Sequence, residues 1–143
     1  FEELLIAGDG PERAELERLA EKAPVRVKVL GFQSRSQLDE MYAKSHFVIL
    51  PSENEGFPKV IAEAGAHGCI PIVTDVSCIG QYVREGENGF LLADNAPQTI
   101  KINLEKIGLV RSSFPSLSGG ACVLAKAFSY ERYLSRIRET MTF

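Results

Sequence analysis

Apolar residues in this chain gather in short unbroken runs, separated by longer stretches where they recur at helical spacing. Leu4-Leu5-Ile6-Ala7, His46-Phe47-Val48-Ile49-Leu50 and Ile70-Pro71-Ile72-Val73-Thr74 have the form of parallel strands covered on both faces. Residues 25–30, VRVKVL, alternate apolar and basic positions and predict a strand nearer an edge. Residues 89–92, GFLL, predict a last strand. Between these runs, Pro11 opens a helix with Leu16, Leu19 and Ala20 on one face, ended by Ala23-Pro24. Residues 35–44, with Leu38, Met41 and Tyr42 in phase, predict a second helix, residues 58–67 a third, and residues 80–84 a short helical piece. Such alternation predicts an α/β, Rossmann-like domain: a mostly parallel sheet with helices on both faces and right-handed crossovers. After Leu92 the pattern turns helical, at 97–107, 120–127 and 130–140, with 112–120 (SSFPSLSGG) as a flexible connector. The chain reads as one domain, alternating over 1–92 and helical over 93–143.

Ligands of such sheets bind beyond the carboxyl ends of the strands, so the loops at Gly8, Gly31, Ser52 and Asp75 share the candidate rim. The stretch 51–71, PSENEGFPKVIAEAGAHGCIP, carries the most chemistry. Pro51 and Ser52 end a strand, residues 52–57 form an acidic loop, and Pro58 suits a first helical position. Gly68 supplies a left-handed stop, with Pro71 beyond it. Glu55 therefore lies at a helix mouth and Glu63 inside the helix. A helix start offers unpaired N–H groups to a phosphate, while the two carboxylates would accept bonds from the hydroxyls of a ribose and of a second ring. A solvated acidic loop and an ordinary surface Glu fit the same spacing.

Charge and cysteine usage narrow the partners. With a formal net charge of −3, an apolar share of 45% and a charged share of 24%, the chain is an ordinary globular composition that gives no case for nucleic acid. No run is long enough to span a bilayer, and membrane contact is not expected through this segment. Cys69, Cys78 and Cys122 lack metal-ligand spacing and read as reduced, small buried hydrophobes in a cytoplasmic protein; no metal site is expected. His46 and His67 have no catalytic-looking neighbours. A first residue Phe1, with a strand almost at once, suggests a piece of a longer polypeptide.

Glu55-Gly56-Phe57-Pro58-Lys59-Val60-Ile61-Ala62-Glu63, followed by Ala64, Gly68 and Pro71, resembles the signature of the group 1 (family 4) retaining, nucleotide-sugar-dependent glycosyltransferases of the GT-B fold. In their pattern a Glu before Gly-Phe-Pro is separated by seven intervening residues from a second Glu. The resemblance covers roughly residues 4–92 and implies part of the C-terminal, donor-binding domain. It implies that Glu63 holds the nucleotide ribose and that Glu55, the catalytic candidate, positions the donor sugar. Main-chain groups over Gly56, Phe57, Pro58, Lys59 and Val60 would meet the diphosphate and sugar. The loop at Gly31-Phe32-Gln33 resembles the one edging the nucleobase, where main-chain groups around Gln33 would read it; a plain β–α turn fits equally. Gly8-Asp9-Gly10-Pro11 resembles the family's second Gly-rich turn, which a simple turn and helix cap explains as well.

The implied donor is a UDP-, GDP- or ADP-sugar used as substrate, with no cofactor. The acceptor is a hydroxyl of a glycan, lipid or small molecule, and the further partner is an absent N-terminal domain. Departures from the pattern fall in residues 77–83, SCIGQYV, where Ser77-Cys78 stand for a pair of glycines and Gly80-Gln81 for Pro-Glu. There, glycine-only torsions are expected to be lost. The Arg and Lys that clamp the diphosphate in the family would precede Phe1, so this chain alone is expected to bind nucleotide weakly and to transfer no sugar. Two alternatives stay open: a nucleotide-sugar epimerase of the same fold, and a non-catalytic module binding nucleotide sugars or a protein partner.

Overall fold

β-Branched and leucine runs punctuated by Gly and Pro become strands, and the helices between them start at polar or proline positions. The computed structural model describes residues 1–56 and 59–141. They form two compact units, Phe1–Met41 and Tyr42–Phe143.

In the first unit, β1 (Glu3–Ala7) pairs in parallel with β2 (Arg26–Gly31), and α1 (Arg13–Ala20) packs against β2. The basic positions of β2 answer Glu3 across the pair: Lys28 Nζ lies 2.6 Å and Arg26 3.9 Å from its carboxylate, which is held below its usual range by the Lys28 hydrogen bond first. One expectation fails here: Leu4 is 38% exposed, so β1 is not covered on both faces, and Leu19 on the apolar stripe of α1 is 52% exposed. The Gly8–Pro11 segment is a self-contained turn: Gly8 N–H donates to Gly31 O, Asp9 accepts from Gly10 N–H, and Arg13 reaches Asp9 and Glu17. Helix α2 (Arg35–Lys44) follows with the expected bounds.

The second unit holds the core. Its strands β3 (Phe47–Leu50), β4 (Ile70–Thr74) and β5 (Phe90–Leu92) are parallel in the order β3-β4-β5. Central β4 is buried throughout, as an unbroken apolar run requires. Alternate β4 residues face opposite layers: Ile70 and Ile72 join Phe90, Leu92, Ile107 and Leu117, while Val73 joins Ile61, Ile79, Val83 and Leu124. Helix α3 (Lys59–Ala66) thus covers one face and α4 (Pro97–Leu109) the other, with α5 (Phe114–Lys126) reaching both. Helix α6 (Tyr130–Met141) buries no residue fully.

The expected connector at 112–120 is instead a 3₁₀ turn, Arg111–Ser113, running into the first half of α5. Pro115 sits in the first turn, where its missing N–H costs nothing. The small residues are there for contact. Gly120 lies against Glu87 O, Ser118 Oγ donates to Gly68 O at 2.8 Å, and a Cβ on Gly65 of α3 would lie 2.9 Å from Ala121 O. Close packing overrides weak helix propensity.

All three cysteines are free thiols, but only Cys69 is fully buried, beneath the carbonyls of Tyr42 and Ser45. Burial, with Cys122 as a smaller cause, pushes its thiol up to about 11. A pKa raised in the folded state favours the protonated fold. That contribution is whole below the unfolded thiol's pKa and is lost as pH climbs through the folded value. Urea unfolding should show about 2 kcal/mol less stability at pH 11 than at pH 9, a loss that Cys69→Ala removes. An identical pH slope in that variant would refute the assignment.

Candidate functional site

The loop after β3 hangs between two strands and feeds α3. Strand pairing stops at Leu50↔Val73, and the loop's first turn is held instead by a side chain: the Thr74 hydroxyl donates to Ser52 O. Thr74 is 2% exposed. Ser52 Oγ in turn donates to Glu55 Oε1 at 2.9 Å, and Asn95 Nδ2 donates to Glu53 Oε1 at 3.2 Å. Glu55 is therefore half-buried and oriented, not a solvated loop acid.

Helix α3 runs over Lys59–Ala66, and Gly68 just beyond it has a φ of +81°, the left-handed stop that its position predicts. Ile61, Ala64 and Gly65 turn into the core; Val60 and Glu63 are half-buried at its margin, and Lys59 is exposed. Among the described residues, nothing donates a hydrogen bond to the Glu63 carboxylate or forms an ion pair with it. Gly56 is exposed, and its carbonyl lies 3.7 Å from Cys78 Sγ, a thiol facing it from the loop after β4. Phe57 and Pro58 lie outside the described residues. Glu55, Gly56, Lys59, Val60 and Glu63 thus share one loop and helix of the second unit. Gln33 belongs to the first unit, where its side-chain amide donates to Leu30 O and Phe32 O, both at 2.9 Å, and so braces its own turn.

The 77–83 segment contains a left-handed torsion even though a side chain, not a glycine, stands there. Ser77 has φ +54°, left-handed and costly for a side chain. The Asp75 carboxylate packs directly over Gly80, where a Cβ would meet it. Ser77→Gly should raise stability by about 0.5–1 kcal/mol in chemical unfolding; a loss would contradict the left-handed assignment. Sequence reasoning missed the Thr74–Ser52–Glu55 chain. Its local half, a Ser three residues before a Glu, is a visible spacing, but the Thr74 contact spans 22 positions and has no local signal. Among the described residues, no three His, Cys, Asp or Glu side chains group as a metal site, and no helix is long and apolar enough to cross a membrane.

Known proteins are similar to this chain in sequence and in fold. N-acetyl-alpha-D-glucosaminyl L-malate synthase of Bacillus anthracis is 33% identical over 106 residues, which is 68% of this chain and 28% of that protein. In fold, sucrose-phosphate synthase of Thermosynechococcus elongatus superposes with a TM-score of 0.81 at 22% identity, over 96% of this chain and 37% of that one. HepE of Anabaena, solved in complex with UDP-glucose, gives 0.78 at 22% identity, over 96% of this chain and 40% of that one. The chain therefore spans well under half the length of these proteins. The model of the family described as glycosyl transferases group 1 matches residues 3–108, and the chain belongs to that family.

Proposed function

We propose that this chain is the donor-binding half of a retaining glycosyltransferase of the GT-B type, moving a hexose-type sugar from a nucleoside diphosphate to a hydroxyl acceptor. One observation carries the reading: a half-buried Glu63 carboxylate, without a protein partner among the described residues, stands on a helix whose mouth holds an oriented Glu55. In this reading Glu63 accepts bonds from the ribose hydroxyls and Glu55 from the donor sugar. Main-chain groups over Gly56, Phe57, Pro58, Lys59 and Val60, with N–H donors from all but the proline, meet the diphosphate, favoured by the helix's positive end. The base-reading role of main-chain groups around Gln33 is a separate proposal for the first unit. HepE, a relative in fold solved with UDP-glucose, supports the ligand class. Three free thiols suit a reducing, cytoplasmic setting.

Charge development on the departing diphosphate is what such a reaction must stabilise, and the described loop and helix start bring only the exposed Lys59 as a cation. The chain by itself should therefore bind nucleotide weakly and transfer no sugar; the remaining cations and the acceptor site belong to the rest of a longer polypeptide. The test is an NMR titration of wild type and Glu63→Ala with UDP, GDP and ADP. Shifts should centre on residues 52–63 for the best of the three and be lost in the variant. Shifts centred elsewhere break the assignment.

A further inference from the structure

The geometry points to Ser52 and Thr74 as positioning residues that act through Glu55 on the sugar half of the donor and leave the nucleotide half alone. The inference rests on the proposed donor-binding function. Its basis is a two-step chain of donors: the buried Thr74 hydroxyl fixes Ser52 O, and the Ser52 hydroxyl fixes Glu55 Oε1 at 2.9 Å. β4 continues one residue beyond the last β3 partner, which brings the Thr74 hydroxyl to a carbonyl that strand pairing leaves free. Ser52 is thereby tied to the sheet, and Glu55 to Ser52.

A carboxylate offers about four acceptor positions on its two oxygens. Ser52 occupies one on Oε1, so Oε2 and the remaining lone pair stay available to ligand hydroxyls. An unbraced Glu must lose its rotamer freedom when a ligand binds, a sizeable cost for a long side chain. Here the brace removes that freedom beforehand, and affinity follows from pre-organisation. Glu63 lies on α3 and takes no part in the chain, so nucleotide affinity should not register the brace.

The test compares UDP-glucose with UDP on wild type, Ser52→Ala, Ser52→Thr, Thr74→Val, Thr74→Ser, Glu55→Ala and the Ser52→Ala/Glu55→Ala pair. The affinity ratio of UDP-glucose to UDP should fall about tenfold in Ser52→Ala and Thr74→Val, with UDP affinity unchanged and the ratio restored by Ser52→Thr and Thr74→Ser. On a Glu55→Ala background, Ser52→Ala should cost nothing further. A wild-type ratio in Ser52→Ala, equal loss for both ligands, or full additivity overturns the inference. Ser52 is on a half-buried loop, so its Ala variant carries the test even if Thr74→Val unfolds. In the free protein, backbone amides over 52–56 should become more mobile in Ser52→Ala; unchanged order parameters also overturn it. A wild type that binds neither ligand sinks the donor-binding reading instead, and the amide dynamics then still decide whether the brace exists.

Discussion

Gly65→Val should lower the unfolding free energy by about 3 kcal/mol. Gly65 faces α5 from the last turn of α3, and even one added carbon there would lie 2.9 Å from Ala121 O and 3.5 Å from Ala125 Cβ. The nearest obstacle is backbone inside a helix, which cannot rotate aside. One helix or the other must move, and Ile61 and Leu124, which fill the layer between them and β4, would lose contact. Gly119 is the control. It lies in α5 with nothing within 4 Å of an added Cβ, so Gly119→Ala should gain about 1 kcal/mol from helix propensity alone. Urea unfolding of the two variants should give opposite signs. A Gly65→Val protein as stable as wild type would contradict the close approach of α3 and α5.

The second large effect concerns Glu63. If its carboxylate accepts from a ribose, Glu63→Ala should weaken UDP binding about 10- to 100-fold, the worth of charge-assisted hydrogen bonds. Chemistry sharpens the test. Wild type should bind 2′-deoxy-UDP more weakly than UDP, whereas Glu63→Ala should bind the two alike, since the group that distinguishes them is gone. Glu63→Gln keeps an acceptor without the charge and should fall between. A variant that still discriminates the 2′-hydroxyl would assign ribose recognition to another residue.

Both predictions bear on what the sequence alone could reveal. The strands were legible because apolar runs bounded by Gly, Pro and polar residues have few other uses, and α2 and β4 have the expected bounds. Gly68 announced the end of α3 through a torsion that few other residues accept. The start of α5 was illegible for the opposite reason. Ser, Pro and Gly are poor helix formers, and only the partners they touch (Gly68, Glu87 and the Gly65 face of α3) justify them there. Exposure in the first unit was misjudged since an apolar run says what a strand could bury, not what is present to cover it. At the candidate site, the two acids and the helix mouth came from spacing and resemblance, while the Thr74–Ser52 support depends on strand register. At Ser77 the backbone takes a torsion that favours glycine although the sequence places a side chain there, so the residue type gave no sign of it.

The most direct measurement of the central claim is a set of intermolecular NOEs between UDP-glucose and the labelled protein. The account predicts ribose protons against the side chains of Glu63 and Val60, and glucose protons against Glu55 and the loop that begins at Ser52. A ligand bound in the reverse sense, with ribose at Glu55, or NOEs confined to residues outside 52–63, would contradict it.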